Sequence, residues 1–146
     1  AGVYAGGYRF DSGVSLGANY TYIDAKRLDS TNPPTGDTFG DKLNVFARYD
    51  RPTGRYWVEY RIRHNGETDA NLDENEPVPP VGDVLPSFTV HRLSGGVLLG
   101  GSGSIEHRLG LVIDNLTDEL YAEFSNATFF RPQPERTVVL TYDLQF

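Results

Sequence analysis

The sequence predicts an all-β chain, an antiparallel up-and-down meander of about seven strands that forms a segment of a transmembrane β-barrel, and three observations carry this. Apolar and polar residues alternate at a period of two in stretches of about ten residues. The connections between those stretches run short, long, short, long, short, long, at residues 11–13, 25–40, 51–54, 65–86, 101–103 and 117–135. The composition, with 16 Gly, 9 Tyr, 8 Phe, no Met and no Cys, suits strands and turns rather than helices.

Ala1–Phe10 alternates weakly, Val3, Ala5 and Gly7 opposing Tyr4, Gly6, Tyr8 and Phe10, and Asp11-Ser12-Gly13 turns the chain tightly. From Val14 the pattern is clean: Val14, Leu16, Ala18, Tyr20 and Tyr22 share one face, and Ser15, Gly17, Asn19 and Thr21 the other. Asp41–Asp50 sets Leu43, Val45, Ala47 and Tyr49 against Asn44, Phe46 and Arg48, and Arg51-Pro52-Thr53-Gly54 turns again. Tyr56–His64 is sharply two-sided, with Tyr56, Val58, Tyr60 and Ile62 opposing Trp57, Glu59, Arg61 and Arg63.

The acidic stretch Asn65–Pro86 carries Pro77, Pro79, Pro80 and Pro86, so it reads as a loop without a regular element. In Ser87–Gly100, Phe88 and Val90 are in one phase and Val97 and Leu99 in the other, which predicts a bulge near Gly95-Gly96. Gly101-Ser102-Gly103 reads as a turn, and in Ile105–Leu116 Ile105, His107, Leu109, Leu111 and Ile113 alternate with Glu106, Arg108, Gly110, Val112 and Asp114. Thr117–Glu135 is a third long connection. In the last strand, Arg136–Phe146, Val138, Leu140, Tyr142, Leu144 and Phe146 form one apolar face.

In a meander, this order of connections gathers the short turns at one end of the sheet and the long loops at the other. A sandwich has no reason to sort its loops that way, whereas a bacterial outer-membrane barrel has short periplasmic turns and long extracellular loops. The last strand then runs inward and leaves Phe146 at the periplasmic edge. Seven strands form an open sheet with two unpaired edges, untenable in lipid, so residues 1–146 read as the C-terminal segment of a larger barrel whose earlier strands lie elsewhere.

The net charge of −7 argues against a nucleic-acid partner, and the absence of cysteine excludes thiolate chemistry. No Ser-His-Asp arrangement and no phosphate loop is present, so no enzyme is expected; Gly100-Gly101-Ser102-Gly103 precedes no helix.

Gly110–Tyr121, G-L-V-I-D-N-L-T-D-E-L-Y, resembles the penultimate-strand signature of TonB-dependent outer-membrane receptors, with Asn115, Leu116, Asp118 and Tyr121 at the matching places. Pro134–Phe146 is similar to the family's final strand, although Pro134-Glu135-Arg136 stands where the family has Pro-Gly-Arg. Leu16–Ala25 and Asp41–Tyr49 resemble upstream strands more loosely. The resemblance implies a 22-stranded Gram-negative outer-membrane barrel around an N-terminal plug, taking up a siderophore, cobalamin or glycan by energy coupled through TonB. It implies as partners outer-membrane lipid, the rest of the barrel and its plug, TonB through that plug, and the barrel assembly machinery, which reads Val138, Leu140, Tyr142, Leu144 and Phe146. Without plug and TonB box this segment is not competent for transport alone. Two alternatives stand beside it: a small structural or adhesive outer-membrane barrel, and a soluble β-barrel binding a small apolar ligand.

Among candidate sites, Arg48, Glu59, Arg61 and Arg63 face a lumen and either line a path for an anionic ligand or pair across neighbouring strands. Asp69, Asn71 and Asp73 open a calcium-loop spacing, but Glu74 replaces its glycine and Pro80 its last ligand. A solvated acidic loop is therefore expected, with weak calcium binding in an extracellular loop as the alternative, and no cofactor otherwise. His64, His91 and His107 lack metal spacing and read as polar or interfacial residues, while Phe124, Phe129 and Phe130 either touch a ligand or else pack their loop or sit in the aromatic girdle.

Overall fold

The structure, a computed structural model, describes residues 2–22, 41–69, 84–100, 105–126 and 129–146; the side chains of residues 68, 69, 84, 124–126 and 129–131 are outside that description. Its strands are β1 (Gly2–Arg9), β2 (Val14–Tyr22), β3 (Asp41–Asp50), β4 (Tyr56–Asn65), β5 (Thr68–Asp69), β6 (Val84–Leu85), β7 (Phe88–Gly100), β8 (Glu106–Asp114), β9 (Ala122–Asn126), β10 (Phe129–Pro132) and β11 (Thr137–Gln145). Seven of them form one open antiparallel sheet in the order β1-β2-β3-β4-β7-β8-β11, with β1 and β11 as its free edges. The seven expected strands thus correspond to the seven strands of the meander, and the two described short turns, at residues 11–13 and 51–54, lie together at one end, while the third, at 101–103, is outside the described residues.

Local chemistry fixes that end. Gly13 takes φ 91°, donates its N–H to Phe10 O at 3.0 Å and accepts from Asp50 N at 2.9 Å. A Cβ there would collide with the Asp50 carbonyl oxygen, so position 13 needs glycine for both conformation and space. In the next turn Gly54 donates to Arg51 O at 2.7 Å, and Leu98 of β7 donates to Arg55 O at 2.7 Å. The short turns are in this way bonded to the strands beside them.

Two expectations are corrected. The connection after β4 is not free of regular structure, since β5 and β6 pair as a short ribbon, Thr68 with Leu85 and Asp69 with Val84. These residues flank the proline-bearing stretch and keep the amide groups that a ladder needs. Likewise β9 and β10 form a ribbon in the third connection, tolerating Pro132 at its end, where the register shifts. The bulge in β7 is at Leu98–Gly100, opposite β8, and not at Gly95-Gly96, which pairs regularly with Val58 and Trp57. Phe88 and Val90 need no phase change: β7 places them opposite Asn65 and Arg63, on the polar face of the sheet.

The registers bring the alternating faces of all seven strands into line. One face collects Tyr4 and Tyr8, Val14 to Tyr22, Leu43 to Tyr49, Tyr56 to Ile62, Leu93 and Val97, Leu109 to Ile113, and Val138 to Leu144, each at alternate positions. Asp41, at the far end of β3, is its only Asp, Glu, Lys or Arg among the described residues. No described residue covers this face, and Tyr4, Leu16, Val58, Leu140 and Tyr142 are all exposed on it. Among the described residues the buried apolar ones are few, Leu85 at 3%, Phe88 at 4% and Val90 at 9% exposure, and they lie at the long-connection end. The described residues therefore give the sheet no core of its own.

All three histidines fall on the apolar face, each bonded to a hydroxyl of an adjacent strand: His91 Nδ1 to Tyr60 at 2.6 Å, His107 Nδ1 to Tyr142 at 2.5 Å and His64 Nδ1 to Thr89 at 2.9 Å. Nδ1 of each is thereby satisfied within the face.

Candidate functional site

The polar face carries the chain's concentrated chemistry, and β3, β4 and β7 position it. Alternation puts Arg48 and Asp50 of β3 beside Glu59 and Trp57 of β4, because Arg48 pairs with Glu59 and Asp50 with Trp57. Arg48 donates to Asp50 through Nε at 2.8 Å and Nη2 at 2.7 Å, approaches Glu59 at 3.7 Å, and lies over the Trp57 ring at 4.3 Å. Its fork is filled, so Arg48 joins strands rather than awaiting a ligand. Trp57 in turn occupies the space left by Gly96 on β7, where a Cβ would stand 2.6 Å from its indole nitrogen.

Of the other residues predicted on this face, Glu59 also accepts from Arg61 at 2.8 Å and so bridges two arginines. Arg63 is tied upward: its Nη2 lies 2.6 Å from Glu123 and 3.4 Å from the Tyr121 hydroxyl, and its guanidinium lies over both Phe88, at 5.5 Å, and Tyr121, at 5.7 Å. Phe88 and Tyr121 are themselves 4.5 Å apart, so Arg63 clamps the β9 segment to the sheet through a small aromatic stack.

Arg92 of β7 belongs to the same face and was not singled out from sequence. It stands directly opposite Arg61 and pairs with Asp114 of β8 at 3.3 Å. Its signal was the alternation of Arg92, Ser94 and Gly96 with Leu93, Gly95 and Val97, obscured by treating Phe88 and Val90 as part of the apolar face. Arg61, Arg63 and Arg92 line one open concavity of about 570 Å³, with Asn44, Tyr121 and Thr137.

The motif residues form a corner beside this concavity. Asn115, at φ 52° and 2% exposure, donates to Glu119 O at 2.9 Å and Pro134 O at 3.3 Å, and its Oδ1 accepts from Glu119 N at 2.8 Å. Leu116 N donates to His91 O at 2.8 Å, while Asp118, at φ 60°, accepts from Arg136 N at 2.8 Å. Tyr121 O accepts from Gln133 N at 2.8 Å. Asn115, Asp118 and Tyr121 thus each reach the segment leading into β11 and fold it back beside β8.

The remaining candidates are not assembled into a site. Asp69 pairs with Val84 through its backbone, and Asn71 and Asp73 lie outside the described residues. Phe124, Phe129 and Phe130 lie in the second ribbon, with their side chains outside the description. Among the described residues no three His, Cys, Asp or Glu side chains gather to hold a metal ion. Val138, Leu140, Tyr142 and Leu144 line the apolar side of the edge strand β11, and Phe146 follows it almost fully exposed. No protein-family model, curated protein or solved structure matches the chain.

Proposed function

We propose that the chain is the C-terminal barrel segment of an outer-membrane receptor of the TonB-dependent type, which takes up a scarce ligand of the siderophore, cobalamin or glycan class. The observation that carries this reading is the sorting of residues between the two faces of the sheet. One face is apolar across seven strands and uncovered, while the other holds the arginines and carboxylates in a paired network. In water, so large an uncovered apolar face beside two free edges invites aggregation. In a barrel, lipid covers the apolar face, further strands pair with β1 and β11, and the polar face lines the interior. The corner built by Asn115, Asp118 and Tyr121 supports the resemblance of the last two strands to that family, since those residues do a shared structural job.

The protein has no native cysteine in this segment, so single cysteines report each face cleanly. In lipid vesicles, Asn19→Cys and Thr141→Cys on the polar face are expected to react with a water-soluble maleimide, and Val58→Cys and Leu111→Cys to resist it. Equal labelling of both pairs, or monomeric folding without detergent, refutes the membrane reading. An upstream reading frame lacking a plug and earlier strands refutes the receptor assignment.

A further inference from the structure

We propose that Arg61 and Arg92 form a clamp for an oxyanion, a carboxylate or phosphate group, on the solute this barrel carries. This rests on the reading above, in which the polar face lines an aqueous interior, and narrows the ligand to an anionic solute rather than a neutral glycan. Arg61 and Arg92 are direct cross-strand partners on β4 and β7. Like charges so placed repel and destabilise a sheet unless negative charge meets them. The carboxylates they have lie to either side: Glu59 is two residues along from Arg61 and shared with Arg48, and Asp114 is on the far side of Arg92, on β8.

The donors left over point to the same role. The contacts of Arg61 use Nε and Nη2, and that of Arg92 uses Nε. Nη1 of Arg61 and both terminal nitrogens of Arg92 are the guanidinium donors a ligand would take. Arg61, whose guanidinium also lies 5.6 Å from the centre of the Phe46 ring, and Arg92 are 46% and 49% exposed at the side chain, against 32% for Arg48 and 34% for Arg63. Both line the concavity of about 570 Å³ with Arg63, so that three arginines there stand against two carboxylates, Asp114, which is paired with Arg92, and Glu135, while Asn44 and Thr137 add neutral hydrogen-bonding groups. Arg61 Nη1 and the two terminal nitrogens of Arg92 border one concavity, and charge-assisted donors from two strands match the oxygens of a carboxylate or a phosphate.

The test is calorimetric titration of the whole protein in detergent, at low ionic strength, with citrate and separately with inorganic phosphate. Saturable binding of either anion is expected, and the preferred one identifies the oxyanion. Arg61→Gln and Arg92→Gln should each weaken it by about tenfold or more, the consequence of losing a charge-assisted contact. Arg61→Lys and Arg92→Lys, which keep the charge but lose the fork, should fall between. Arg108→Gln, which removes an arginine paired with Glu106 elsewhere on the face, should leave binding unchanged. Retention of the heat-dependent gel shift of a folded barrel separates lost binding from lost folding. Absence of binding by both anions, or binding that survives Arg61→Gln and Arg92→Gln, overturns the clamp. If the maleimide pattern holds while binding is absent, the clamp alone fails; if the pattern reverses, the barrel reading fails with it.

Discussion

Leu111 and Val112 are neighbours on β8 whose side chains fall on opposite faces, so replacing each in turn by arginine tests the face assignment with the strand held constant. Leu111 stands between Gly95 and Leu140 on the apolar face, and Val112 between Ser94 and Val139 on the polar one. The strand has 9 residues. At a rise of about 3.4 Å per residue it is about 30 Å long, and with a tilt of about 40° it climbs about 23 Å, close to the ~25 Å apolar band of a membrane barrel. Leu111 is one residue from the middle of that climb. On the proposed barrel reading an arginine there would meet lipid near the midplane, at a cost of about 2–4 kcal/mol. On the same reading Val112→Arg would enter a water-filled face, with a cost below about 1 kcal/mol. The difference, about 2–3 kcal/mol, is roughly a 30- to 150-fold change in the folding equilibrium.

Refolding from urea into phosphocholine vesicles, followed by the heat-dependent gel shift, measures both variants against the parent. The midpoint should fall sharply for Leu111→Arg and little for Val112→Arg. Equal losses, or a larger loss for Val112→Arg, would refute the assignment of the faces, because the two positions share strand, depth and backbone pairing.

Two other outcomes follow from the geometry. Asn115→Ala should cost about 2–4 kcal/mol in the same refolding assay, because it strips a buried amide of three backbone hydrogen bonds and puts alanine at a left-handed φ; a loss under about 0.5 kcal/mol would show that the corner contributes little. Deleting Phe146 should reduce insertion into the outer membrane while leaving synthesis intact, measured by fractionation, and unchanged insertion would remove this residue from the assembly signal.

The strands were legible in the sequence wherever one face was apolar throughout. Val14–Tyr22, Asp41–Asp50 and Tyr56–His64 appear in the structure almost as read, because with a period-two pattern over nine or ten residues a one-residue slip would send every apolar side chain to the other face. β7 was misread for the opposite reason: its two faces are apolar at different heights, Phe88 and Val90 on one and Leu93 and Val97 on the other, so alternation alone suggested a slip. The ribbons β5–β6 and β9–β10 escaped because their pairing is short and flanks a proline-rich or polar stretch, and paired backbone leaves little trace in side-chain pattern. Of the polar face, Arg48, Glu59, Arg61 and Arg63 were readable from β4 and its neighbour. Their division of labour was not, because it depends on cross-strand partners such as Trp57, Tyr121, Glu123 and Arg92.

That division also gives the motif corner a consequence for the site. Pro134 and Glu135, held back by the Asn115 amide and the Asp118 carboxylate, form part of the wall of the concavity lined by Arg61 and Arg92. Tyr121 adds another part of that wall and is braced by Phe88 and Arg63, the side chains that also secure β9. Apart from Ser94 in the middle of β7, the few buried side chains in the described chain are therefore gathered where the long connections meet the polar groove, and the rest of the sheet relies on its ladders. A sheet without a core leaves its shape to backbone pairing and to whatever covers its apolar face, so local packing is spent on the one region where loops must be held in a fixed relation to the arginines.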